Sequence, residues 1–108
     1  MVTNDMSDQS PNFPQTVDEA VTRLILELPL RDRTEIAKMS EEDLGGLHVS
    51  LGNCIKNEFD LWGENKQLLE SCRSVSGEHN LHVDSAASVI IKELWKTLRE
   101  THILRVVK

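Results

Sequence analysis

Through most of this chain apolar residues recur at steps of three and four, and most of these stretches are fenced by residues that start or stop a helix. That spacing gathers the apolar side chains on one face of a 3.6-residue helix. In the first stretch Val17, Ala20, Val21, Leu24, Ile25 and Leu28 make one stripe. It opens on "TVDE", a capping box in which Thr16 accepts from the Glu19 N–H while Glu19 reaches back. Pro29 ends it, lacking the N–H a helix needs to continue. A short helix follows over "LRDRTEIAKM", carrying Leu30, Ile36, Ala37 and Met39.

Ser40 then caps a further helix, with Glu41, Glu42 and Asp43 in the first turn, where the helix dipole favours negative charge. Its broad apolar face is expected to hold Leu44, Leu47, His48, Leu51, Cys54, Ile55 and Phe59. Gly45, Gly46 and Gly52 each cost about 1 kcal/mol relative to Ala in a helix interior. They therefore imply either a closely approaching helix or an irregular turn. Gly63 in "DLWG" breaks the chain, and Asn65 or Gly63 caps a short helix over Lys66 to Cys72. "RSVSGEHNLHV" reads as a polar loop. Asp84 is expected to cap the last long helix, whose stripe is Ala87, Ile90, Ile91, Leu94, Trp95 and Leu98.

At about 100° per residue, Arg105 would fall inside that stripe, with Ile103, Val106 and Val107 mostly outside it. The helix is therefore expected to end near Glu100 to His102, leaving "ILRVV" as a separate, non-helical segment. The fold expectation is all-α: one compact domain of four to five short helices over residues 16–108. It is preceded by a flexible arm over residues 1–15, in which Phe13 alone has something to bury. Aromatic residues are only 4% of the chain, so the core must be built from Leu, Ile, Val and Ala.

The net charge of −6 lacks the cationic surface that neutralises phosphate, which argues against nucleic acid and anionic membranes as partners. No apolar run approaches the roughly 20 residues that span a bilayer. The first fifteen residues have neither the basic nor the apolar region of a secretory signal. Two cysteines make no disulfide framework, and the expectation is a cytoplasmic chain with reduced thiols.

Four patterns in the chain bear on chemistry. Cys54, Cys72, His79 and His82 are zinc-type ligands, but the cysteines are too far apart for the usual paired spacing, and no metal or other cofactor is expected. His48 and Cys54 stand six residues apart, which is not a neighbour spacing on a helix, and His48 reads as a residue at the edge of the core. Acidic groups at helix starts are accounted for by the dipole, leaving only Glu58 and Asp60, near a helix end, without that reason. No phosphate-binding, dinucleotide, zincin or nucleophile-elbow motif is present, so no catalytic residue is assigned.

The stretches "TVDEAVTRLI", "MSEEDLGGLHVSLGNCIKNEFDLW", "NKQLLESC" and "DSAASVIIKELWKTL" resemble a small bacterial family of domains of unknown function. The likeness covers most of Thr16 to Leu98. This chain departs from it with Lys56 where Arg is common and Asp60 where Gly is common. The resemblance implies a fold without implying an activity, and it draws attention to "NEFDLW" and Asn65. His48, Asn57, Asp60, Trp62 and Asn65 are accordingly the candidate binding residues, where one helix hands over to the next. The competing expectation gives them structural work: Asn65 an N-cap, Asn57 a helix end, Trp62 a core plug.

The functional expectation is a non-catalytic module that binds another protein, as an adaptor, regulator or immunity-type protein would. The alternative is a small-ligand or metal-binding domain centred near Trp62. Self-association through Ile103 to Val107 is a third possibility, giving a homodimer.

Overall fold

The computed structural model describes residues 13–61 and 65–107, and among them lie five α-helices and one 3₁₀ turn. We label them α1 (Val17–Glu27), α2 (Leu30–Lys38), the 3₁₀ turn (Glu41–Asp43), α3 (Leu44–Glu58), α4 (Lys66–Ser76) and α5 (Val83–Val107). The all-α expectation holds. Among the described residues no helix is long and apolar enough to cross a membrane.

Each boundary has a local cause. Thr16 caps α1, its hydroxyl accepting from the Glu19 N–H at 3.1 Å. Glu19 reaches back one residue further than a standard capping box, taking the Gln15 N–H at 2.8 Å. Pro29 separates α1 from α2 and serves as the N-cap of α2. Asp43 accepts from the Ser40 N–H at 3.1 Å across the 3₁₀ turn, so the α-helix itself begins only at Leu44.

α5 is the post of the fold. The other four α-helices all pack against it, and α1 also touches α4. Its buried line is Ala86, Ala87, Ile90, Ile91, Leu94, Trp95 and Leu98. Val17, Ala20, Val21 and Leu24 reach it from α1, Ile36 from α2, Ile55 and Phe59 from α3, and Leu68 and Cys72 from α4. Trp95 fixes the end of α2 by donating its indole N–H to the Met39 carbonyl at 2.8 Å, and the Arg99 guanidinium lies 4.9 Å from its ring centroid.

Three sequence expectations are corrected. The short fourth helix runs on to Ser76, because nothing from Arg73 to Ser76 stops it. Its stop is Gly77, in the left-handed region at φ 81°, whose N–H bonds the Arg73 carbonyl at 2.7 Å. The last helix continues through Val107 as a single helix, and no separate non-helical segment begins at Ile103. No Pro or Gly interrupts it, and a break in an apolar stripe does not of itself end i→i−4 bonding. Asp84 lies within the first turn of α5 and is not its cap.

At its N-terminal end the arm is outside the described residues. At its other end Phe13 is half-buried while Pro14 is fully buried. Gly45 and Gly46 face open space, so neither marks a helix contact. Gly52 is buried, and a Cβ there would stand 3.4 Å from the His48 ring one turn before it. Its missing side chain makes room for that imidazole.

α3 closes with a Schellman turn: the Leu61 N–H bonds the Lys56 carbonyl at 3.0 Å and the Asp60 N–H bonds the Asn57 carbonyl at 3.3 Å. This places Asp60 at φ 55°, the one non-glycine residue with positive φ among those described. Urea unfolding of Asp60→Gly and Asp60→Ala tests that geometry. The alanine variant should be the less stable by about 1 kcal/mol, because only its Cβ resists the left-handed conformation.

Candidate functional site

Of the five residues singled out by sequence, the four that are described do not meet at one place. Asn65 is buried at 8% exposure and uses its whole amide for structure. Its Nδ2 donates to the Pro14 carbonyl at 3.0 Å and the Phe59 carbonyl at 2.8 Å, while Oδ1 accepts from the Leu68 N–H at 3.2 Å. One side chain thus ties the entry to α1, the end of α3 and the start of α4. Asp60 is half-buried in the Schellman turn, and Asn57 is exposed on the last turn of α3. Trp62 and Gly63 lie outside the described residues.

His48 stands apart from the others. Nine residues separate it from Asn57 along α3, about 13 Å of helix axis. It faces a groove of ≈ 410 Å³ between α3 and α5, lined by Glu41, Leu44, Gly45, His48, Ser88, Ile91 and Lys92. Its Nδ1 lies 3.0 Å from Ser88 Oγ. A hydroxyl beside an imidazole is half of an acyl-transfer site. Ser88, however, sits mid-helix, where backbone N–H groups are committed to carbonyls four residues back and are not free to stabilise an oxyanion. At the groove's edge Lys92 pairs with Glu41 at 2.9 Å, which holds the Glu41 carboxyl below its usual range.

The cysteines differ from each other. Cys72 is buried, its thiol donating to the Ala86 carbonyl at 3.6 Å, and burial pushes its pKa up to about 12. Cys54, expected on the apolar face of α3, is exposed. The buried line of α3 is Gly52, Ile55, Lys56 and Phe59, and Cys54 is rotated off it. Among the described residues no group of three His, Cys, Asp or Glu side chains is placed to hold a metal ion.

Sequence reasoning missed two features. The first is Lys56, which is 6% exposed and gives its ammonium to Asp84 at the start of α5. No local pattern announced it, since its partner lies 28 residues further along the chain. The second is a trough of ≈ 280 Å³ lined by Leu28, Asp32, Glu35, Ile36, Met39, Leu47, Ser50 and Leu51. It exists because α2 and α3 both pack on α5 but make little contact with each other. No one-dimensional pattern reveals such a gap.

A family model described as a domain of unknown function, DUF6794, matches residues 13–98, and the chain belongs to that family. The match begins at Phe13, beside the buried Pro14, and ends at Leu98, the last buried residue of α5 among the described side chains. No curated protein and no solved structure matches the chain.

Two variants test the structural assignments. Asn65→Ala should lower unfolding free energy by about 2–4 kcal/mol, since three buried backbone groups lose their partner. Asn65→Asp should lose at least as much although it keeps the capping oxygen; tolerance of Asp would reduce Asn65 to a simple cap. For Asp84, the hydrogen bond from Lys56 and its charge hold the carboxyl below its ordinary value. A depressed folded-state pKa stabilises above the unfolded value and is lost as pH falls through the folded one. Asp84→Asn should therefore melt below the wild type at pH 7, and that gap should close as pH drops below the ordinary carboxylate range of about 4.

Proposed function

We propose that this DUF6794 domain is a non-catalytic module that binds another protein, using the trough between α2 and α3 as its contact surface. The carrying observation is the trough itself. Leu28, Met39, Leu47 and Leu51 pack only partly against the core and leave apolar surface open along the gap. Two helices that share a support without covering each other form the kind of groove into which an apolar helix face docks.

The fate of the polar side chains around the central turn supports the same reading. Asn65, Asp60 and Lys56 are engaged in a cap, a turn and an ion pair, whereas five of the eight residues lining the trough are apolar. The small-ligand alternative would need several of those groups to converge, and His48 and Asn57 stand on separate turns of α3.

The test is affinity capture at low and at high salt with the full chain and with Leu47→Glu. Circular dichroism and melting establish that the variant is folded; if it is not, Leu51→Ala takes its place. A protein retained by the wild type and lost from the folded variant supports the proposal. Retention by both, or no retained protein at either salt, contradicts it.

A further inference from the structure

Resting on the reading of the trough as a contact surface, we infer that its occupant is a basic amphipathic helix: an apolar stripe flanked by Lys or Arg. The trough's chemistry selects for this. Its floor is Leu28, Ile36, Met39, Leu47 and Leu51, and its only polar lining groups are Asp32, Glu35 and Ser50. The Ser50 hydroxyl already donates to the Leu47 carbonyl at 3.1 Å. What remains at the rim accepts hydrogen bonds and carries negative charge.

The rim's own lining charge is negative, although α2 also carries cations beside it. The cations of α2 (Arg31, Arg33 and Lys38) are outside the lining set. α3 has one cation, Lys56, and it is buried against Asp84 at the foot of α5. On the side of α3 that borders the trough, the positions continuing from Leu47 and Leu51 by seven residues are Cys54 and Glu58, both exposed. A second carboxylate-bearing turn therefore extends the acidic margin, and the chain as a whole is at −6. Leu47 to Glu58 spans about 16 Å of helix axis, enough for anchors at i, i+3, i+4 and i+7 of a docked helix. A nucleic acid or an acidic peptide meets repulsion here, and an anionic small molecule finds no donor.

Cys54 provides the reporter. It is exposed, while the buried Cys72 thiol is pushed up to about 12, so an environment-sensitive fluorophore attaches to Cys54 alone in the native chain. The probes are two synthetic amphipathic helical peptides with the same leucine stripe, one flanked by lysines and the other by glutamates. They are titrated into the labelled full chain, its Asp32→Asn/Glu35→Gln variant and its Leu47→Glu variant. Label-free calorimetry on the unlabelled chain checks each affinity.

The lysine peptide should bind the wild type and weaken at least about fivefold in the double variant and in ~1 M salt, where the Debye length falls to about 3 Å. It should fail on Leu47→Glu, and the glutamate peptide should not bind. If the glutamate peptide binds equally, or the double variant changes nothing, the basic partner is overturned while the trough stands as a contact surface. If the lysine peptide binds Leu47→Glu as well as the wild type, or neither peptide binds, the trough itself is overturned.

Discussion

Every other helix of this domain buries its apolar stripe against α5, and that one arrangement organises the rest. Ile90, Ile91 and Leu94 are almost entirely removed from water at the centre of the contact. At roughly 25 cal/mol per Å² of apolar surface, such burial is the main favourable term in a small domain with few aromatics. The polar contacts mostly set angles and registers around it. Trp95 holds the end of α2, Lys56 and Asp84 hold α3 to the first turn of α5, and Asn65 ties three chain segments at the opposite junction.

A bundle built on one post has a geometric consequence. Helices that share a support need not touch one another, and α2 and α3 leave a gap whose floor is apolar and whose rim is acidic. The proposed contact surface follows from the same packing that stabilises the chain. Within α3 it leaves no unpaired buried cation, since Lys56 is paired with Asp84. The Ser88–His48 groove on the other side of α3 lacks this combination: its walls carry both signs of charge, already joined in the Glu41–Lys92 pair.

Much of the fold was legible in the order of residues. The stripe of α1, the break at Pro29, the cap at Thr16 and the capping amide of Asn65 all act through neighbours within four positions, the range over which a sequence pattern speaks directly. The departure from glycine at Asp60 also left a trace, since the position proves to have positive φ. Less legible were features set by distant partners. Cys54 turns outward and Lys56 inward, and the partner of Lys56, Asp84, lies 28 residues further along the chain. The end of α5 was misjudged because a packing signal was read as a backbone signal. The trough was invisible, being set by how two helices stand apart on a shared support.

Native-state hydrogen exchange on the full chain tests the central claim most directly. If α5 is the common support, its amides from Ile90 to Leu98 should exchange only through global unfolding, while α2, held by one face, opens at lower free energy with α5 still closed. Exchange in which α5 opens first and α2 and α3 remain jointly protected would mean that those two helices support each other. The gap between them would then not be a stable feature of the molecule.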